Sequence, residues 1–213
     1  MYVLRVTYKP VPGKNREAVQ LLKDRVQERT SLGQRILLAS KVINAEGGPV
    51  HELLSFWDGL DEFADSWPMT TTKGPDQATA HYFQKMSPLL TGSVQSALWE
   101  VVFPVSTPPA KGEFVVRQSW YPGQGELEFG GAISELTKNF QAAGNNVGLY
   151  RQAFAPDGMV HQAIFPVKKL SDWEVLLGRR NDEVFRFLRT YGPRTRRPVS
   201  TDLWQIVTDP PRL

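Results

Sequence analysis

The chain has no cysteine among its 213 residues. That excludes disulfides, thiolate metal sites and cysteine nucleophiles together. An excess of one charge is lacking too: 25 Lys and Arg stand against 22 Asp and Glu, a net of +3. General attraction to nucleic acid is therefore weak, and nucleic acid is not an expected partner. No run approaches the ~20 apolar residues that cross a bilayer. The opening "MYVLRVTYKP" has no basic leader followed by an apolar stretch and a cleavage site. A cytoplasmic protein without membrane association is expected. Several catalytic signatures are also absent. "GQGELEFGG" has its glycines at the wrong spacing for a phosphate-binding loop, and no G-x-S-x-G occurs. "HELLS" begins like a zinc-peptidase motif but ends in Ser55, on a predicted strand. The remainder is ordinary globular composition, 41% hydrophobic and 22% charged, in a chain long enough to bury a core.

What the chain does contain is a repeat. "VHELLSFWDGLDEF" from Val50 and "VHQAIFPVKKLSDW" from Val160 share Val-His, a Leu ten residues later, then an acidic residue and an aromatic. The two histidines are 161 − 51 = 110 positions apart, and Leu60/Leu170, Phe63/Trp173 and Lys41/Arg151 keep that offset. "VLRVTY" matches "VVRQSW" at an offset of 112, and "LWEVV" matches "LWQIV" at 105. Offsets that drift only between matched blocks are what loop insertions produce. The reading is a tandem duplication: residues 1–103, a Pro-rich linker at 104–112, residues 113–208, and a tail at 209–213.

Each half reads as β-α-β-β-α-β. "YVLRVTY" is β-rich and "RILLASKVI…VHELLSFW" is a hairpin. Val19, Leu22 and Val26 share one helical face, with Gly33 as terminator, and Ile133, Leu136 and Phe140 repeat the spacing. This is the split βαβ, ferredoxin-like unit. One such sheet has helices on a single face, so two copies are expected to cover each other sheet to sheet as an intrachain pseudo-dimer. The chain is then a monomer carrying an internal pseudo-dimer, or a higher homo-oligomer of it.

A duplicated ferredoxin-like unit resembles the dimeric α+β barrel superfamily in fused form, over nearly the whole chain. The hairpin into "HELLSFWDGLDEFADSW" is most similar to NIPSNAP-type and antibiotic-biosynthesis-monooxygenase-type domains. The resemblance implies three functions. The first is a cofactor-independent monooxygenase-type enzyme acting on a small aromatic or polar organic molecule. The alternative is a non-catalytic NIPSNAP-like module that binds small molecules or proteins. The third is a haem-binding protein. No cofactor is expected on the first two readings.

Strand alternation nominates the site residues. Arg5 should leave the helix-facing side of its strand and lie between Glu52 and Glu100. Its counterpart Arg117 should lie between Gln162 and Gln205. The first arginine is then neutralised, and the second keeps its charge for an anionic or polar ligand group. The plainer alternative is that both only tie the sheets together. Trp57 and Trp67 are further ligand-binding candidates, whereas Trp99 and Trp204 belong to the helix-facing core. His51 and His161 fall on the helix side, most simply as packed residues. The resemblance makes His81 and His51 haem-ligand candidates. The Arg-rich stretch 179–197 is an anion patch or a solvated face, with Val184, Phe185 and Leu188 packing inward.

Overall fold

The computed structural model describes residues 1–42, 47–66, 77–123, 125–155, 158–178 and 182–211, with the side chains of 176–178 left aside. The described chain divides into two compact units. One comprises Met1–Leu98 with Ile206–Leu213, and the other Trp99–Gln205.

The first unit is built on β1 (Tyr2–Tyr8), β2 (Arg35–Lys41) and β3 (His51–Trp57), with β3 antiparallel between the other two. The chain's last residues join this sheet's edge: Val207 N–H donates to the Leu38 carbonyl at 2.8 Å, and Leu38 N–H donates to Thr208 Oγ1 at 2.9 Å. Helix α1 (Asn15–Ser31) crosses one face, burying Ala18, Leu22 and Val26 against Tyr8, Ile36, Leu38 and Leu53. This is the i, i+4, i+8 stripe of an amphipathic helix. Gly33, at φ 81°, ends α1, a conformation that a Cβ makes costly. Helices α2 (Leu60–Ser66) and α3 (Gln77–Met86) follow β3. From α3, Tyr82 and Met86 enter the same core.

The second unit repeats the element order. It contains the C-terminal part of β4 (Gln95–Phe103), then β5 (Phe114–Trp120), α4 (Glu126–Ala142), β6 (Gly148–Gln152), β7 (His161–Val167), α5 (Leu170–Gly178), α6 (Asp182–Tyr191) and β8 (Ser200–Ile206). Its strands run β8-β5-β7-β6-β4, all antiparallel. α4 has the 17-residue length of α1 and also closes on a left-handed glycine, Gly144 at φ 82°. Its core gathers Trp120, Phe129, Ile133, Leu149 and Phe187.

The facing of several strands differs from the expectation. On β8, Trp204 pairs with Val115 and stacks under Arg117, so it lies away from the helices, while Gln205 pairs with Phe114 on the helix side. On β4, Glu100 pairs with Arg151, which in turn pairs with His161 on the helix side, so Trp99 takes the opposite face. Both strands carry apolar residues on both faces, so alternation alone cannot choose between them. Helix α6 also differs by one step. Phe187 is buried and Phe185 is exposed, because Val184, Phe187, Leu188 and Tyr191 form the inward i, i+3, i+4, i+7 stripe.

Candidate functional site

The strand-borne arginines are buried, Glu52 and Gln162 share their strand faces, and the expected neighbours on β4 and β8 turn to the other face. Arg117 is 4% exposed, with its guanidinium 4.4 Å from the centre of the Trp204 ring. Its cross-strand partners are Ile164 and Asp202, not glutamines. Gln162 instead donates to Ser119 Oγ at 2.7 Å, and Gln205 donates to the Gly112 carbonyl at 3.2 Å. Arg5 pairs with Leu54, while Glu52 pairs with Thr7 and accepts its hydroxyl at 3.4 Å. Glu100 is salt-bridged to Arg151. The expected pairing of Glu100 with Arg5 therefore gives way to an ion pair on β4 and β6. The ion pair meets the need of a half-buried carboxylate for a partner.

The histidines are packed residues. His51 Nδ1 accepts the Ser40 hydroxyl at 2.7 Å, and Nε2 donates to Asn15 Oδ1 at 2.7 Å, the pattern of a neutral ring. Burial lowers its pKa to about 4. His161 lies beside Phe129, with Nε2 3.0 Å from Met159 Sδ and its Nδ1 buried without a partner. Burial, helped by the nearby Arg151 charge, lowers its pKa to about 4. His81 is exposed on α3. Among the described residues, no group of three or more His, Asp or Glu side chains could hold a metal ion.

The open space lies elsewhere, within the second unit. A cavity of about 320 Å³ separates the sheet from helices α4, α5 and α6. Gln118 and Trp120 of β5, Ala163 and Phe165 of β7, and Thr201 of β8 form its sheet side. Leu136, Thr137 and Phe140 of α4, Trp173 of α5, and Val184, Phe187 and Leu188 of α6 form its helix side. Aromatic contacts hold the wall: Trp120 meets Phe187 edge-on at 5.3 Å, and Phe165 packs on Trp173 at 5.3 Å. Among the described residues, no ionisable side chain lines it. The Thr137 hydroxyl is bound to the Ile133 carbonyl at 2.7 Å, whereas the Gln118 amide makes no hydrogen bond to any described residue.

The first unit has a smaller pocket of about 100 Å³ at the corresponding place. Trp57 lines it, its indole N–H donating to Ser66 Oγ at 2.6 Å. Trp67, the other tryptophan candidate, lies outside the described residues, as do Arg179 and Arg180. The later arginines act as surface ties. Arg194 pairs with Glu128 at 3.2 Å, Arg196 donates to the Met159 carbonyl at 2.8 Å, and Arg197 lies 3.9 Å over the Tyr121 ring.

Trp57 lines a pocket and His51 and His161 face the helices, whereas Gln118, Phe165 and Trp173 were not nominated as a shared lining. A signal was present in the apolar surroundings of Gln118 on a helix-facing strand position, but the arginines pointed to the opposite face.

No family model matches the chain, and no curated protein sequence does. Solved structures do match. A candidate monooxygenase from Fusobacterium nucleatum superposes with a TM-score of 0.72 at 13% identity, covering 99% of this chain and 94% of the other. An anthrone oxidase-like protein gives 0.63 at 11% identity, covering 97% and 91%. A haem-binding protein from Thermus thermophilus gives 0.51 at 13% identity, covering 97% and 91%. These likenesses show a shared mixed α+β fold. No helix among the described residues is long and apolar enough to cross a membrane.

The haem named for the Thermus protein does not fit the described lining of the second-unit cavity. Haem iron takes an axial His, Cys, Met or Tyr. None of the described residues lining the second-unit cavity is of these types. His51 has both ring nitrogens engaged, and His81 lies on the exposed side of α3.

Proposed function

We propose that the second unit binds a small, neutral, largely aromatic molecule bearing one hydroxyl or carbonyl. The observation that carries this reading is the apolar, aromatic-walled cavity whose described lining offers an unpartnered amide at Gln118 and no charged group. Small-molecule sites have this form, with a few placed polar groups in an apolar wall. The amide can both donate to a carbonyl and accept from a hydroxyl. A cavity of about 150 Å³ holds benzene, so about 320 Å³ suits two fused rings. We take the chain as a fused tandem of ferredoxin-like units in which this half carries the site.

A second reading, monooxygenase-type oxidation, is favoured by the likeness to the Fusobacterium and anthrone oxidase-like structures. Direct attack of dioxygen on an organic molecule needs an electron-rich anion, hence loss of a proton. Among the described residues, no carboxylate, imidazole or ammonium lines the cavity to take it.

Calorimetric titration with 1-naphthol and naphthalene tests the binding reading. Saturable binding of naphthol is expected, weakened about tenfold by Gln118→Leu and abolished by the cavity-filling Ala163→Leu. Binding that survives Ala163→Leu overturns it. Oxygen uptake with anthrone, measured on an electrode, separates oxidation from binding alone.

A further inference from the structure

Three polar side chains of the first unit form a hydrogen-bonded chain that the functions above leave unused. Ser40 and His51 face each other across β2 and β3, on the side covered by α1. The Ser40 hydroxyl donates to His51 Nδ1 at 2.7 Å. His51 Nε2–H donates at 2.7 Å to Oδ1 of Asn15, the first residue of α1. A hydroxyl within about 2.6–3.2 Å of a base, with the base held by a third group, is the arrangement that activates a nucleophile.

The repeat supplies an internal comparison. At the equivalent place in the second unit His161 faces Arg151, meets Met159 Sδ at 3.0 Å and keeps Nδ1 buried without a partner. A buried imidazole at this strand position therefore packs without a serine on one nitrogen and an amide on the other. The fold does not demand Ser40 and Asn15 as partners for the ring. The state of each atom fits as well. With Asn15 Oδ1 accepting, the ring proton sits on Nε2 and Nδ1 presents its lone pair to the hydroxyl. Burial keeps the ring neutral, the state that can take a proton. Ser40 is half-buried and Asn15 exposed, so the trio reaches the surface, while His51 is 4% exposed.

We infer that Ser40, His51 and Asn15 act as nucleophile, general base and positioning residue in acyl transfer from small activated esters such as aryl acetates. Ser40 Oγ bonds to the ester carbonyl carbon as its proton passes to His51 Nδ1. The carbon–oxygen bond to the aryl group breaks, and the phenolate leaves with the electron pair and takes the proton from Nδ1. Water then attacks the acyl carbon and gives a proton to Nδ1. The acid departs as Ser40 Oγ recovers that proton. Ester and water thus give acid and phenol. The trio holds no donor for the developing oxyanion, which selects esters whose leaving group is already good. A half-buried hydroxyl selects a small acyl group. The site is independent of the second-unit cavity and does not rest on the function proposed for it.

The test mixes the full chain with p-nitrophenyl acetate at neutral pH. Absorbance follows p-nitrophenolate release, and peptide mass mapping after an acid quench locates the acetyl group. Acetyl on Ser40 is expected, and Ser40→Ala should lose the phenolate release. His51→Gln should slow it at least about a hundredfold. Asn15→Asp puts a carboxylate on Nε2–H, strengthens the base and should speed release about tenfold, which a purely structural bond would not do. An acid in the first turn of α1 is favourable, so Asn15→Asp should fold even if His51→Gln does not, and thermal unfolding of each variant checks this. His161→Gln in the other unit should leave the rate unchanged. Release by Ser40→Ala equal to that of wild type, undiminished release by a folded His51→Gln, or no gain in Asn15→Asp would each overturn the proposal.

Discussion

The two units use one plan with two different interiors. At the third turn of the long helix, unit one has Arg25 where unit two has Leu136. One turn on, Arg29 corresponds to Phe140, and on the later helix Thr79 and Tyr82 correspond to Val184 and Phe187. The sheet side differs less: Tyr8 corresponds to Trp120, Leu53 to Ala163 and Ser55 to Phe165. In the first unit the polar cluster fills the space, leaving about 100 Å³. In the second, apolar side chains stand back and leave about 320 Å³. Which helix residues point down, not the backbone, decides what each interior can hold. A buried guanidinium demands partners, and the first unit supplies them through Thr79 and Glu28.

The comparison can be broken by transplanting one residue. Leu136→Arg puts the first unit's cation into the second unit's apolar wall, facing Val184 instead of a hydroxyl. Leaving a charge uncompensated in a half-buried apolar site should cost roughly 3 kcal/mol in urea unfolding. It should also abolish naphthol binding. Adding Val184→Thr restores one partner and should return about 1 kcal/mol. If Leu136→Arg alone is tolerated at no cost, the polar partners around Arg25 are incidental and the contrast between the interiors fails.

A smaller effect tests what the units share. His51 and His161 both have pKa values lowered to about 4 by burial. A histidine in the unfolded chain titrates near about 6.5. Between those values the unfolded chain binds protons that the folded chain does not. Stability is therefore full above about pH 6.5 and falls as pH drops towards about 4, by at most about 3 kcal/mol per histidine. Unfolding at about pH 7 and about pH 5 should show this fall. His51→Gln and His161→Gln should each remove about one proton from its slope. Carboxylates act on wild type and variants alike, so the difference isolates the ring. A slope unchanged by either variant would mean that the histidines titrate normally in the fold.

Much of the plan was legible because it rests on local rules. The two hairpins, the stripe Leu22 and Val26, and Gly33 as helix terminator all follow from spacing and residue type. The site was less legible. Arg5 and Arg117 are buried, but their neighbours depended on the facing of β4 and β8. Those strands are apolar on both sides, so nothing local said whether Trp204 or Gln205 would stand beside Arg117. The cavity itself was invisible, because it is set by how far α4, α5 and α6 stand from the sheet, a product of side-chain volumes summed over three helices. Arg25 and Arg29 read as part of a charged outer face. Their inward turn is explained only once Thr79, distant in sequence, is seen to receive them.

The smallest prediction is an equality. Gly33 and Gly144 end α1 and α4 at φ 81° and φ 82°, and a Cβ at either would meet nothing within 4 Å. Substitution by alanine then carries only the conformational cost of the left-handed region, about 1 kcal/mol. No packing term differs between the two sites, so Gly33→Ala and Gly144→Ala should lower stability by the same amount in chemical denaturation. Unequal losses would mean that the helix ends are not the same device in the two halves. The contrast between the interiors would then extend to the backbone, and the different cavity sizes would need an origin beyond the side chains of Arg25, Arg29, Leu136 and Phe140.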